Sequence, residues 1–144
     1  MKIYFELEEN PRGTAQQKGT AFQGGRIHHY EKKEVRALRQ LYHHKIFKEL
    51  YTHDVPPPQF EGPVKLTIIF NYAIKNKKKW GTPKTSRPDV DNSCKLLIDV
   101  MTDLRFWSDD SQVSCLKACK FYAERPSICL EVEPYNATRE DEPT

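Results

Sequence analysis

The sequence predicts an α/β (α+β) domain in which a small mixed sheet packs against two main helices. Two observations carry this prediction. Apolar residues recur at alternate positions near both ends of the chain and, most clearly, over residues 66–74, which is typical of strands. Two other stretches have apolar residues at spacings of three and four, which is typical of amphipathic helices.

Length and composition favour one compact domain. A chain of 144 residues is near the commonest domain size and can bury a core. The hydrophobic content of 38% is modest for a globular protein, and the net charge of +3 is too small to indicate a class of partner by itself. No apolar run approaches the roughly 20 residues of a membrane span, and no signal peptide is evident, so we expect a cytoplasmic protein.

The first half of the chain is predicted to form a strand, a polar loop and a helix. Residues 3–7 alternate as a strand. Residues 10–30 are polar and contain several glycines, so we expect a loop near DNA, with candidate contacts at Lys18, Arg26, His28 and Tyr30. The helix predicted over residues 31–50 has an apolar face formed by Val35, Leu38, Tyr42, Ile46 and Leu50.

A second helix is predicted to start at about Asp89. Pro88 disfavours a helical conformation at Arg87, and aspartate is a good N-cap residue. The apolar face of this helix is formed by Val90, Cys94, Leu97, Ile98 and Met101.

Two strands are predicted to complete the domain, at about residues 112–122 and 127–133. We therefore place the domain at residues 1–133. The acidic residues 134–144 are expected to form a disordered tail.

Carboxylates are concentrated at the two ends of the second helix. Asp89 and Asp91 lie at its start, and Asp109-Asp110 follow its end, at a turn that enters a strand. Packing that strand beside the helix would bring Asp110 towards Asp89 and Asp91, and such a cluster repels itself unless a cation fills it. Mg²⁺ prefers oxygen ligands of this kind. Lys95, one helical turn from Asp91, can offset charge on a phosphate held there.

The same residues also suit an ordinary structural role. An N-cap aspartate stabilises a helix by about 1 kcal/mol, and a charged pair four residues apart by about 0.2–0.5 kcal/mol. Taken alone, an Asp89–Asp91 pair of this kind has the structural role more often than a metal-binding one. The second acidic pair favours the metal site.

A basic run leads directly into this motif. Six basic residues fall within thirteen positions that contain no acid, namely Lys75, Lys77, Lys78, Lys79, Lys84 and Arg87. A solvated loop is the ordinary explanation of such a run. Its position before the acidic motif favours contact with DNA phosphates, and Trp80 could stack on an exposed base.

The pattern RPDVDN-x-x-K, followed by an acid-containing helix and FWSDDSQV, resembles the RusA family of endodeoxyribonucleases, which resolve Holliday junctions. Lys120 and the segment Glu124-Arg125-Pro126 also resemble that family. The clear match covers about residues 64–133. Residues 10–19 depart from it, because they are looser and less basic than the Lys-Gly-Arg-Pro-Arg element of phage-type relatives.

The resemblance implies a RusA-like fold and assigns roles to residues. Asp89, Asp91 and Asp110 would bind Mg²⁺, with Mn²⁺ able to substitute, and Lys95 would be the catalytic lysine. Alignment through Ser-Gln-Val favours Asp110 over Asp109. The implied activity is that of a homodimeric crossover junction endodeoxyribonuclease, which hydrolyses paired phosphodiesters of four-way or branched DNA during recombination and repair in a bacterial or phage-infected cell.

Three other functions stay open at this point. A DNA-junction-binding module without activity would not need the intact acids and lysine. A flap or fork nuclease of the same family would share the active site and differ only in substrate. A metal-dependent transferase with an Asp-x-Asp motif would need a nucleotide pocket, for which the sequence gives no sign.

Overall fold

Two helices and a four-stranded mixed sheet make up the body of the computed structural model, which describes residues 1–12 and 18–143. The strands of this sheet are β1 (Lys2–Glu6), β4 (Val64–Ala73), β5 (Val113–Ala123) and β6 (Ser127–Pro134), in the order β1-β6-β4-β5. The helices are α1 (Lys33–Thr52) and α2 (Val90–Asp103). The predicted α+β class, with a small mixed sheet and two main helices, is confirmed.

Strand β4 lies in the interior of the sheet and organises it. It pairs antiparallel with β6 on one side and parallel with β5 on the other, while β1 pairs antiparallel with β6. Alternate residues of β4 are buried against the helices, namely Val64, Leu66, Ile68, Phe70 and Tyr72. The residues between them are half-buried, as expected of a sheet covered mainly on one face.

Helix α1 packs on β1 and on α2. Its buried residues are Val35, Tyr42, Ile46 and Leu50, and Leu38 packs against them, which is the predicted apolar face. The helix begins and ends two residues later than predicted. Within residues 1–12 and 18–143, no helix has the length and apolar character needed to cross a membrane.

A second, two-stranded sheet occupies most of the segment that was predicted to be a loop. Strands β2 (Lys18–Gln23) and β3 (Arg26–Glu31) pair as an antiparallel hairpin around Gly24 and Gly25. Both glycines have positive φ, which the turn requires and which glycine adopts without strain. The loop prediction for residues 18–30 was therefore wrong. Residues 13–17, part of the same prediction, lie outside the described residues.

The end of the chain makes local contacts where a disordered tail was predicted. Strand β6 includes Pro134, and residues Arg139–Asp141 form a short 3₁₀ turn. The Tyr135 hydroxyl donates to a Glu142 carboxylate oxygen at 2.6 Å, and this carboxylate raises the pKa of Tyr135 to about 12.

Parallel pairing of β4 and β5 requires a long connection between them, and its first part is a basic loop. The Trp80 indole Nε1 donates to the Ile74 carbonyl at 2.8 Å, which closes the start of the loop. Gly81 then donates its amide to the Tyr122 carbonyl, and the Tyr122 amide donates to Thr82. These bonds attach the loop to the outer edge of β5.

Helix α2 forms the middle of this connection. Its buried residues include Cys94, Leu96, Leu97, Val100 and Met101, while Val90 and Ile98 are partly buried. The predicted apolar face is thus present and broader than the sequence pattern indicated. The opposite side of the helix carries the polar residues of the acidic motif.

The last part of the connection is an acidic turn held by Gln112. The Gln112 side-chain oxygen accepts from the amides of Ser108 and Asp109, at 2.9 and 3.2 Å. Its side-chain nitrogen donates to the carbonyls of Phe60 and Gly62, at 2.8 and 3.2 Å. One amide group therefore ties the turn to the segment before β4, next to the buried Trp107.

We predict that Gln112→Ala lowers the free energy of unfolding by about 2–3 kcal/mol. It removes three exposed hydrogen bonds, each near the low end of about 0.5–1.5 kcal/mol, and one partly buried bond anywhere in that range. The measurement is urea denaturation followed by circular dichroism. Gln40→Ala, an exposed glutamine on α1, is the matched control and should cost less than about 0.5 kcal/mol. Equal destabilisation of both variants would show that the Gln112 bonds do not hold the turn.

Candidate active site

A depression of about 270 Å³ lies between α2 and β5. Its polar lining consists of Asp91, Lys95 and Asp99 from α2 and Asp110 from the acidic turn. The apolar lining of the depression consists of Val113 and Leu116 of β5, together with apolar residues of α2. The structure thus brings three of the four predicted catalytic residues, Asp91, Lys95 and Asp110, to one place.

The α2 residues of this depression share one side of the helix because they recur every fourth residue. Asp91 and Lys95 are exposed, and within the described residues they form no ion pair with each other or with any other group. Asp99 differs, because its carboxylate lies 3.7 Å from the Arg39 guanidinium of α1. The i, i+4 ion pair expected from a purely structural role of Asp91 and Lys95 is therefore not formed.

Asp89 occupies the N-cap position of α2, as predicted, and yet its carboxylate makes no capping hydrogen bond. Its backbone carbonyl accepts from the Ser93 hydroxyl at 3.2 Å, while its side chain is exposed. Asp89 is not part of the lining of the depression and lies two residues before Asp91. Its carboxylate is thus available to a ligand that approaches the start of α2.

The two aspartates of the acidic turn have different surroundings. The Asp109 carboxylate accepts from the Ser111 amide at 2.9 Å and caps the 3₁₀ turn, and these bonds lower its pKa. The pKa of Asp110 is raised, because Asp110 shares a hydrogen bond with Asp109 and lies near the negative charges of Asp109 and Asp99. Asp109 therefore has a structural role, and Asp110 is the carboxylate that faces the depression.

The negative charge of the carboxylates that line the depression suits a divalent cation. A cation bound beside Asp110 would relieve the repulsion from the Asp109 and Asp99 carboxylates that contributes to the raised pKa of Asp110. In the part of the chain that the structure describes, no three acidic, histidine or cysteine side chains are close enough to enclose a metal ion by themselves. Mg²⁺ fits such a site, because it is usually held by one or two carboxylates, substrate phosphates and several waters.

A thiol next to the depression is kept neutral. Burial raises the pKa of Cys94 to about 11, and the nearby Asp91 carboxylate adds to the effect. A neutral thiol is a poor metal ligand, because thiols coordinate as thiolates. The oxygen ligands of the site therefore favour a hard cation.

Five of the six predicted DNA contacts are exposed, and within the described residues their side chains have no hydrogen-bond or ion-pair partner: Lys75, Lys77, Lys78, Lys79 and Arg87. Residues Lys77–Lys79 form one turn of 3₁₀ helix, which the Asn76 side chain caps by accepting from the Lys78 amide. The loop presents unneutralised positive charge just ahead of the acidic helix.

Lys84 is held differently from these residues. Its ammonium group lies 5.1 Å from the ring centroid of Tyr72 and 5.3 Å from that of Tyr122, and it donates to the Ser86 hydroxyl at 2.6 Å. Cation–π contacts of this kind stabilise the loop. Trp80, predicted as a base-stacking residue, is half-buried with its indole N–H bonded to Ile74.

Sequence reasoning gave no role to the residues that hold the acids in place, although the resemblance had singled out Lys120. Gln112 acts through contacts with residues about fifty positions away, and Lys120 reaches carbonyls 32 and 34 positions away. No local spacing signals such contacts. Helical spacing puts Asp99 on the polar side of α2 without indicating a role, and the fold adds it to the depression.

Comparison with known proteins agrees with this geometry. The family model for the endodeoxyribonuclease RusA matches residues 8–133, which include the basic loop, α2 and the acidic turn. That match spans most of the chain.

Two relatives extend the comparison. The crossover junction endodeoxyribonuclease rusA of Lactococcus phage r1t is 42% identical over 131 residues, which cover 89% of this chain and 93% of the phage protein. The uncharacterized protein YqaN of Bacillus subtilis (strain 168) is 42% identical over 76 residues, 52% of this chain and 53% of that protein. With the family model matched over most of its length and a near full-length relative at this identity, the chain belongs to the RusA family of endodeoxyribonucleases.

Proposed function

We propose that this chain is a Mg²⁺-dependent endodeoxyribonuclease that resolves four-way DNA junctions by paired phosphodiester hydrolysis. Family membership and the name of the phage relative support the reaction. The observation that carries the proposal is that Asp91, Lys95 and Asp110 line one depression, while the side chains of Asp89, Asp91 and Lys95 stay unbonded among the described residues. Asp89 makes no capping bond, and Asp91 and Lys95 form no ion pair among the described residues.

Asp89, Asp91 and Asp110 are the proposed metal ligands, with water and a substrate phosphate completing the coordination. When bound, the divalent cation supplies Lewis-acid stabilisation of the phosphate and activation of the attacking water. The family implies a divalent metal ion, and we propose Mg²⁺, with Mn²⁺ able to substitute. An all-oxygen ligand set suits both ions.

Lys95 is proposed to stabilise the charge that develops on the phosphate during cleavage. It lines the same depression as Asp91 and Asp110, and its exposed ammonium group is not neutralised by a neighbour in the described part of the chain. A positive charge at this place can stabilise the negative charge that develops on the phosphate.

The basic loop is proposed to hold the DNA backbone and guide it into the depression. Lys75, the lysines of the turn Lys77–Lys79, and Arg87 can each meet a phosphate, whereas Lys84 serves mainly to hold the loop. Phosphate contacts fix the position of the substrate and carry no sequence information. Junction selectivity therefore has to come from the shape of the DNA.

A homodimer is proposed for a geometric reason. Each chain carries one copy of the motif formed by Asp89, Asp91, Lys95 and Asp110, whereas resolution needs two cuts in opposed strands. A four-way junction has approximate two-fold symmetry, and a C₂ dimer presents two identical sites related in the same way. We propose that the dimer acts in the cytoplasm of a bacterial or phage-infected cell.

The first test mixes the chain with a labelled synthetic four-way junction in Mg²⁺ or in EDTA, and follows binding and cleavage on native and denaturing gels. We predict paired, metal-dependent nicks confined to the junction. Asp91→Asn should lower the rate more than about 100-fold because it removes a metal ligand, and should leave junction binding intact. Asp103→Asn, an exposed aspartate at the end of α2, is the matched control and should cleave normally.

The outcomes separate the alternatives. Tight binding without cleavage in any divalent metal would indicate a binding module. Faster cleavage of flapped or forked duplexes than of junctions would support the proposed active site and indicate a flap or fork nuclease. Full cleavage by Asp91→Asn would show that the metal site is elsewhere.

Lys95→Ala is predicted to lower the maximal cleavage rate by about 100- to 1,000-fold, the usual cost of one preorganised charge or donor, with little change in junction affinity. Single-turnover cleavage at saturating protein measures the rate, and titration in EDTA measures affinity. Lys48→Ala, an exposed lysine on α1, controls for the removal of one charge. A defect confined to affinity would make Lys95 a phosphate anchor.

The basic loop is tested by salt dependence. The triple variant Lys77→Ala, Lys78→Ala, Lys79→Ala should reduce the slope of log affinity against log salt by about 0.9 for each DNA phosphate that the loop no longer neutralises. A second triple variant, which removes the exposed lysines at positions 2, 33 and 48, changes the net charge equally and should leave the slope nearly unchanged. Equal slopes for the two triple variants would exclude a local DNA contact at Lys77–Lys79.

A further inference from the structure

Lys120 of β5 connects the sheet to the segment that enters the active site. Its ammonium group donates to the Ser86 carbonyl at 2.8 Å and to the Pro88 carbonyl at 2.9 Å. The side chain is half-buried, on the face of β5 that meets α2. The second of these carbonyls belongs to the peptide that leads directly into Asp89.

The backbone of Lys120 holds the same segment. The Lys120 carbonyl accepts from the Lys84 amide at 3.0 Å, and the Tyr122 amide donates to the Thr82 carbonyl at 2.9 Å. Lys120 therefore fixes the loop at two levels, once through its backbone and once through its side chain. This places the last residues before α2 against β5.

Among the described residues, Lys120 is the side chain that bonds to the carbonyls of Ser86 and Pro88 just before α2. The Asp89 carboxylate makes no capping bond, and the Lys84 ammonium group contacts the Ser86 hydroxyl instead of a carbonyl of the 86–88 segment. Arg87 is exposed and without a hydrogen-bond partner in these residues. At the start of α2, the Lys120 side chain therefore holds the 86–88 segment to the sheet, while the Ser93 hydroxyl holds the Asp89 carbonyl within the helix.

We propose that Lys120 is a positioning residue for the metal-binding acids, a role that rests on the proposed function. Its ammonium group fixes the carbonyls of Ser86 and Pro88, so that Asp89 and Asp91 meet the cation without first ordering the loop. Residues that hold metal ligands in place typically change metal affinity or activity about 10- to 100-fold when they are replaced. Lys120 itself touches neither the cation nor the phosphate.

The test compares Lys120→Met, which keeps an unbranched side chain and removes the donors, with Lys120→Arg, which can still donate to two carbonyls. Lys117→Met is the matched control, because Lys117 is an exposed lysine on the same strand without a bonded partner among the described residues. Mn²⁺ binding to each full-length chain is measured by electron paramagnetic resonance, without DNA. Amide hydrogen exchange reports on residues 84–91, and junction cleavage is titrated with Mg²⁺.

Lys120→Met is expected to weaken Mn²⁺ binding about 10- to 100-fold, to speed exchange over residues 84–91, and to raise by a similar factor the Mg²⁺ concentration needed for cleavage. Lys120→Arg should recover most of the Mn²⁺ affinity, and Lys117→Met should match the wild type. Junction affinity in EDTA should not change, because the residue does not contact DNA.

Other results would overturn the proposal. Unchanged Mn²⁺ affinity with weaker junction binding would make Lys120 a phosphate contact. Faster exchange throughout the chain would make it a residue of general stability. The Mn²⁺ readout does not require cleavage, so a wild-type chain that binds Mn²⁺ and cuts no junction would contradict the proposed function while still testing the role of Lys120.

Discussion

Parallel pairing of β4 with β5 is the constraint on which the site depends. Two parallel strands cannot be joined by a tight turn, so the chain has to leave the end of β4 and return to the beginning of β5. Residues 74–112 form this connection, and they contain the basic loop, α2 and the acidic turn. The start of α2 consequently lies near the end of β5, where Lys120 reaches it, and the acidic turn lies where β5 begins. One topological requirement therefore brings a cationic segment and two acidic segments to the same edge of the sheet.

The charges along this connection are kept apart from each other. Asp91 and Lys95 form no ion pair in the described residues, and the exposed lysines of the loop have no acidic partner there. Mutual neutralisation would stabilise the free protein only slightly, because exposed pairs contribute about 0–1 kcal/mol. It would also remove the groups that a cation and a phosphate need. In the proposed function, these separated charges can meet a cation and a phosphate without first breaking an ion pair.

The sequence predicted the periodic parts of this fold and the residue types of the site. The apolar spacing of α1 and the alternation of β4 were strong enough to place both elements within about two residues. The β2–β3 hairpin was not predicted, because its residues lack a clear alternation and its glycines equally suggest a loop. At the site, the helical spacing of Asp91 and Lys95 indicated that both residues lie on the same side of α2. The approach of Asp110 needed the packing of β5 against α2, and the bonds of Gln112 and Lys120 join residues too distant in sequence for any local pattern to reveal.

The polar residues around the depression fall into two groups that the structure separates. The side chains of Gln112, Asp109 and Lys120 form hydrogen bonds with backbone groups, and each of them fixes a segment that carries an acid. The side chains of Asp89, Asp91 and Lys95 make no hydrogen bond or ion pair within the described residues. A side chain that is bonded to backbone groups of other residues holds those residues in place, whereas an exposed side chain without a partner can bind a ligand without first breaking a bond. The pair Asp109-Asp110 shows this division in adjacent residues, because the capping bond of Asp109 fixes the turn and leaves Asp110 facing the depression. Placement of acids by their neighbours, and not by bonds of their own, explains how the site stays open to both metal and DNA.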